Sequence, residues 1–192
     1  MPRKNLNKEM IVEEAVGLIE ETGYRDFTMR DLAARLDVKA SSLYNHIDGI
    51  EEVKSAIGLK SIKMMNSALA EAVKGKERDE AVKSAARAYR TFAKEHPELY
   101  ETIVEIPMSG DNLLFKECPY SLQPLADVIS EYPVTKEALL SSFRYLMSAM
   151  HGFLELELSG FLKDKSIDID ISYSSMIDIH IEVLHALELL NK

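Results

Sequence analysis

Residues 38–47 read VKASSLYNHI. Within about three helical turns they gather the hydroxyls of Ser41 and Ser42, the phenol of Tyr44, the amide of Asn45 and the imidazole of His46. These groups suit non-covalent work at a nucleic acid. Hydroxyls and a phenol donate to phosphate oxygens, an asparagine amide can bond the edge of adenine, and Ala40 can pack on a thymine methyl. Lys39 adds a cation, and backbone N–H groups at a helix start donate to a phosphate oxygen. Serine, asparagine and histidine are also ordinary surface residues, so spacing alone leaves both readings open.

Such groups point outward only if their neighbours are held inward. Leu32, Leu36, Val38, Leu43 and Ile47 are spaced to share one small core. Met29, Leu32, Ala33 and Leu36 follow i, i+3, i+4, i+7, which predicts a helix. Thr28 precedes it and Asp31 lies three residues on, a capping box with aspartate in place of glutamate. After a break at 36–39, a third helix is expected over 41–47. Ile11, Ala15, Leu18 and Ile19 predict the first helix, with Gly23 as its C-cap. Two short amphipathic helices joined by a tight turn are the sequence form of a helix-turn-helix. In that arrangement Thr28 and Arg30 meet the flanking phosphate, and Arg3 and Lys4 follow the backbone or enter a minor groove.

The remaining periodicity is helical as well. A long fourth helix is expected from Asp48-Gly49 to about Val73, and a fifth ends near His96-Pro97. A sixth runs from Pro97 to Ile106, then the irregular PMSGDNLLFKECP. Helices are expected near 120–131, 136–161 and 173–190, with Lys163 to Ser172 a loop. Ile167, Ile169 and Ile171 alternate with aspartates but have no evident strand partner. The fold class is all-α, about nine helices, with a three-helix unit over 1–48 and a larger helical domain over 49–192.

Composition restricts the function. A chain of 192 residues, 46% hydrophobic and 29% charged, reads as a soluble globular protein. No apolar run reaches the roughly 18 residues of a membrane helix, and no signal-peptide core opens the chain. One cysteine, Cys118, allows neither an intrachain disulfide nor a cysteine metal cluster. A cytoplasmic location is expected, with no cofactor or metal. Residues 1–60 carry 9 Lys/Arg and 11 Asp/Glu (−2), and residues 61–192 carry 14 and 21 (−7), which together give the net −9. DNA binding must then rest on a few local cations and helix starts, not on bulk attraction.

Residues 7–54 resemble the N-terminal domain of the tetracycline-repressor (TetR/AcrR) family. The matching pieces are IVEEAVGLIEETGYRDFTMRDLAARLDV and KASSLYNHIDGIEEV, with the run GYRDFTMRDLA followed by LYNHI the most specific. The resemblance implies a dimeric DNA-binding transcriptional regulator whose third helix reads an operator, with repression as the family default. Two positions depart from the pattern. Asp37 stands where glycine is usual at the turn, and Ile50 where a phosphate-binding lysine often stands, leaving Lys54 as the nearest cation. The segment RYLMSAMHGFLELELSGF resembles the Arg/Trp/His-Gly signature of a C-terminal ligand-binding and dimerisation domain. Arg144, His151 and Gly152 match. Met147 replaces the usual tryptophan, which implies a reshaped cavity.

The last two helices carry more apolar surface than one protomer can cover. Leu139, Phe143, Met147, Met150, Leu154, Leu158 and Phe161 form one broad stripe, and Tyr145, Ser148, Gly152 and Ser159 another. The last helix is apolar on more than one face. A homodimer through these two helices is expected, placing two reading helices roughly 34 Å apart. An apolar effector site is expected among Phe92, Tyr100, Ile103, Met108, Phe115, Tyr120, Leu125, Phe143, Met147, Met150 and His151. For each of these, plain core packing is the competing reading. An enzyme would have to rest on His151 with Glu155, or on His180 and His185, without any nucleophile, metal or phosphate-loop motif in support. A helical interaction protein without DNA binding is the other alternative, and the missing lysine at Ile50 favours it most.

Overall fold

The structure is a computed structural model that describes residues 6–105, 122–163 and 166–191. Among these residues all regular structure is helical. Helix α1 (Lys8–Thr22) starts on Asn7, whose side chain accepts the Met10 N–H at 2.8 Å. It ends at Gly23, in the left-handed region at φ 95°, whose N–H bonds Ile19 O at 2.8 Å. The predicted stripe Ile11, Ala15, Leu18 and Ile19 is buried. Helix α2 (Met29–Arg35) starts on Thr28, whose hydroxyl oxygen accepts the Asp31 N–H at 3.2 Å. The Asp31 carboxylate in turn accepts the Thr28 hydroxyl proton at 2.5 Å, a tighter closure than a glutamate's reach to the backbone.

The turn after α2 explains the departure at position 37. The Val38 N–H bonds Ala33 O at 3.0 Å and Asp37 sits at φ 56°, the left-handed residue of a Schellman-type stop. Aspartate tolerates this conformation better than most residues, but less well than glycine. Asp37→Ala is therefore expected to lower stability by about 1 kcal/mol, whereas Asp37→Gly is expected not to lower it. Urea denaturation of the two variants beside the wild type checks this.

Helix α3 is shorter than predicted: Ala40–Leu43, with a turn continuing to Ile47. The His46 and Ile47 N–H groups both bond Leu43 O, at 2.9 and 3.1 Å, which closes the chain into the Asp48-Gly49 turn. Serine, tyrosine, asparagine and histidine are poor helix formers, and only Leu43 and Ile47 are buried to hold the turn. Helix α4 (Ile50–Val73), α5 (Arg78–Glu95) and α6 (Pro97–Glu105) follow the expected boundaries closely. Helix α7 (Gln123–Ile129) and α8 (Lys136–Leu158) lie inside their predicted ranges, α8 capped by the Thr135 hydroxyl on the Ala138 N–H at 3.2 Å. Helix α9 (Ile169–Leu190) starts four residues before the predicted 173, so the loop expected to Ser172 is a correction. The Asp168 carboxylate caps α9 by accepting the Asp170 N–H at 2.8 Å, and two acidic residues suit a helix N-terminus. The irregular segment PMSGDNLLFKECP lies outside the described residues.

By packing, the chain divides into two units. The first runs to Met64 and takes in Glu95 and α6; the second begins at Met65, runs to Lys94 and resumes with α7, α8 and α9. The division falls inside α4. In the first unit α1 packs on α2 and α6, and α2 on α3. Ile103 of α6 packs on the buried Ile62 of α4. The buried Thr102 hydroxyl of α6 lies 3.0 Å from Ser61 Oγ of α4. Three polar contacts join α6 to the end of α1: His96 Nδ1 to Glu20 Oε1 at 2.6 Å, the Tyr24 N–H donated to Glu98 at 2.8 Å, and Arg25 to Glu101 at 2.8 Å.

In the second unit α8 packs on both α7 and α9. Its polar centre is Arg90, whose guanidinium donates two bonds to Glu157, each at 2.7 Å, and pairs with Asp170 at 2.8 Å. The Arg90 and Glu157 side chains are only 11% and 10% exposed, so this is a nearly dry ion pair joining α5 to α8 and to the start of α9. A second network joins the start of α5 to the end of α9. Asp79 accepts the Tyr132 hydroxyl at 2.6 Å and meets His185 Nε2 at 3.0 Å, while Arg78 pairs with Glu188 at 2.5 Å.

Candidate nucleic-acid interface

The first unit buries Leu32, Leu36, Leu43 and Ile47 and leaves Val38 half-buried. That core holds α3 and its following turn with the polar side chains outside. Lys39, Ala40, Ser41, Tyr44, Asn45 and His46 are exposed, Tyr44 at 55%, and Ser42 is half-buried. Among the described residues, the side chains of Lys39, Ser41, Tyr44, Asn45 and His46 make no hydrogen bond or ion pair. Five polar groups on one short segment are thus hydrated and unspent.

The cations of this unit sort into two groups. Arg35 is held by Glu21 at 2.6 and 2.9 Å and by Glu14 at 3.0 Å. The Glu21 contact is the main reason its guanidinium is held well above the usual arginine range. Gly17 makes room for it, because an added Cβ there would come 2.9 Å from Arg35 Nη2. Glu14, Gly17 and Glu21 recur at i, i+3 and i+7 on α1, so this cradle was readable as one helix face. Lys8 pairs with Glu52 at 2.5 Å, Arg25 with Glu101, and Lys60 with Glu13. Arg30 is exposed and, like Lys39, has no ion pair among the described residues. Glu13, Glu14, Glu21, Glu52 and Glu101 are thus matched to other cations, while Arg30 and Lys39, like the exposed Asp37 and Asp48 that border the turn, have no ion-pair partner among the described residues.

Two predicted contacts sit differently. The Thr28 hydroxyl is committed to capping α2 and to Asp31. Lys54 is half-buried, its ammonium 5.2 Å from the centroid of the Tyr24 ring. Near Ile50, Glu52 accepts from Lys8 and from the Asp48 N–H, and the Lys8 contact chiefly holds its carboxyl below the usual range. The start of α4 is thus tied to α1. The Tyr24–Lys54 contact and the Glu98 bond to the Tyr24 N–H were not foreseen. The second joins residues 74 apart in the chain and leaves no local sequence signal.

The proposed effector residues divide between the units. Tyr100 is buried and Ile103 half-buried in the first; Phe92, Leu125, Phe143 and Met150 are buried in the second, where Met147 and His151 are half-buried. Neither unit gathers the whole set. Met108, Phe115 and Tyr120 lie outside the described residues. A surface cleft of about 140 Å³ in the second unit is lined by Lys83, Arg87, Tyr173, Ser174, Ile177 and Asp178, none of them foreseen as a ligand contact. It is smaller than the few hundred Å³ that a drug-sized guest occupies. Two of the histidines raised for catalysis, His180 and His185, have structural places. His180 is buried, with Nε2 3.0 Å from Ser142 Oγ, and desolvation lowers its pKa to about 4; His185 meets Asp79. No group of three or more His, Cys, Asp or Glu among the described residues could hold a metal ion, and no described helix is long and apolar enough to cross a membrane.

Comparison with known proteins agrees with this geometry. Residues 11–56 match the family described as bacterial regulatory proteins, tetR family, and residues 82–180 match the tetracyclin repressor-like C-terminal domain. The uncharacterized HTH-type transcriptional regulator Rv0681 of Mycobacterium tuberculosis is 32% identical over 173 residues, covering 90% of this chain and 78% of its own. The transcriptional regulator SCO7222, a TetR from Streptomyces coelicolor, superposes with a TM-score of 0.76 at 20% identity, over 95% of this chain and 99% of that one. BioQ, solved with its double-stranded DNA operator, superposes with a TM-score of 0.68 at 19% identity, over 94% and 98%. The exposed turn after α2 therefore sits in a recognised DNA-binding domain, and the chain belongs to the TetR family of transcriptional regulators.

Proposed function

We propose that this regulator is a homodimeric repressor that leaves its operator when a small, largely apolar effector binds. Residues 1–48 form the DNA-binding part, and residues 49–192 the ligand-binding and dimerisation part. The observation that carries the reading is the exposed, unpaired set Lys39, Ser41, Tyr44, Asn45 and His46 with Arg30 beside it. Tyr44 and Asn45 contact base edges or the adjoining phosphate; Ser41, Ser42 and His46 support them; Ala40 meets a thymine methyl. Thr28 acts through its cap, and Lys54 is a second-rank phosphate contact because the Tyr24 ring already holds it. Dimerisation through α8 and α9 is supported by their exposed apolar residues, Leu140, Tyr145 and Leu156 on one and Ile179, Val183 and Leu190 on the other. Protein of this kind acts in the cytoplasm.

Effector binding is coupled to the reading unit through α6 and α4. A coupling of about 1–3 kcal/mol would change operator affinity roughly 5- to 150-fold. The effector is apolar or aromatic, with Phe143, Met147 and Met150 as the first residues to vary.

Selecting bound fragments from a random duplex pool tests the reading. Enrichment of a sequence with two related half-sites supports it; no enrichment at any sequence favours a helical interaction protein. Once a site is in hand, Arg30→Ala and Lys39→Ala should each weaken binding about equally on cognate and random duplex. Each should also reduce the slope of log affinity against log salt by about 0.9. Unchanged slopes for both would remove these cations from the interface.

A further inference from the structure

The outward face of α8 carries its own electrostatic complement. Arg144 and Glu155 are both exposed, and among the described residues neither has an ion-pair or hydrogen-bond partner for its side chain. They lie 11 residues apart, three helical turns, on the same side of the helix. Between them stand Ser148, half-buried His151 and Gly152. Gly152 is a helical glycine, entropically costly at such a position, yet a Cβ added there would meet nothing within 4 Å. None of the described residues uses the room that this glycine leaves.

We propose that α8 packs antiparallel on α8 of a second copy, crossing at Ser148, His151 and Gly152, with Arg144 of each copy paired to Glu155 of the other. The inference rests on the homodimer reading above and adds its register. Arg144 lies four residues before Ser148, and Glu155 four residues after His151. An antiparallel pair that sets Ser148 against His151 of the second copy therefore also sets Arg144 against Glu155. The two-fold axis makes this contact twice, as an isologous interface requires. Gly152 admits close backbone approach at the crossing, while Tyr145 and Leu156 flank it with apolar area. The alternative occupant, an unrelated acidic or basic partner, would leave one of the two charges unmatched.

Charge reversal separates the outcomes. Arg144→Glu and Glu155→Arg are prepared singly in the full-length chain, and self-association is measured by sedimentation equilibrium. Each variant alone should dimerise at least tenfold more weakly than the wild type, because it sets like charges together twice. Mixed in equal amounts, the two should form a heterodimer with wild-type strength, since every contact is then Glu to Arg. The difference should fade at 1 M salt, where screening acts within about 3 Å. Gly152→Leu is the steric arm: helix content should stay unchanged while the dimer is lost. If both reversals dimerise as tightly as the wild type, the register is wrong and the dimer reading stands. A wild-type chain that is monomeric at tens of micromolar overturns both.

Discussion

Replacing Glu157 with alanine is expected to destabilise the second unit by about 3 kcal/mol. The pair it forms with Arg90 is nearly dry, with both side chains about nine-tenths covered. Removing one partner of a buried pair typically costs 3–5 kcal/mol because the remaining charge is left desolvated. Asp170, 2.8 Å from Arg90, compensates part of that charge, which sets the value at the lower end. Lys94 also loses its contact with Glu157, at 3.1 Å, but it is half-exposed and contributes little. The effect depends on pH in a defined direction. The Arg90 contact chiefly holds the Glu157 carboxyl below the usual range, so the unfolded chain takes up this proton at a higher pH than the folded one. The stabilisation is therefore full above about pH 5 and is lost as pH falls through the depressed folded value. Urea denaturation should show a gap of about 3 kcal/mol between wild type and variant at pH 7, narrowing below about pH 4. A gap under about 1 kcal/mol at pH 7 would mean that the pair is solvated.

The second large effect concerns recognition and should leave stability alone. Tyr44→Ala and Asn45→Ala remove exposed side chains that make no described contact within the protomer, so neither should shift the melting temperature measurably. On a selected operator each should weaken binding by about 1–3 kcal/mol, roughly 5- to 150-fold. Asn45→Ala should also relax base preference at one position per half-site, because an amide reads a base edge and not a phosphate. Leu43→Ala provides the contrast. Leu43 is fully buried, and its truncation should cost about 2–5 kcal/mol of stability and abolish operator binding together with the fold of the turn. Wild-type affinity in both surface variants would place the contacts elsewhere.

The first unit was largely legible because its signals are local. Thr28 with Asp31, Gly23 and the buried Leu32, Leu36, Leu43 and Ile47 each lie within a few residues of what they control. The length of α3 was misjudged because two inward residues spaced by four are compatible with either a helix or a capped turn. Polar side chains of low helix propensity decided for the turn. Helix α9 starts four residues before the expected 173 because Asp168, in the stretch where isoleucines alternate with aspartates that reads as a loop to Ser172, is its cap. Ile171, 61% exposed, has no part in the core that would have made the alternation meaningful. Contacts across long chain separations were not legible at all. Glu98 with the Tyr24 N–H, Arg90 with Glu157 and Asp79 with His185 join residues 67 to 106 apart, and nothing in a single sequence marks the partners. The effector residues are ambiguous for another reason: methionine and aromatic side chains at helical spacing fit a cavity wall and a core equally, and the burial of Phe92 and Met150 is compatible with either.

Hydroxyl-radical footprinting of the protein on a duplex enriched from a random pool tests most directly whether two copies present the turn around Tyr44 to successive major grooves. Two protected backbone clusters, related by a two-fold axis and centred one helical turn apart (roughly 34 Å) or a whole multiple of it, are the predicted result. A single cluster, or uniform protection without any preferred sequence, would contradict the account.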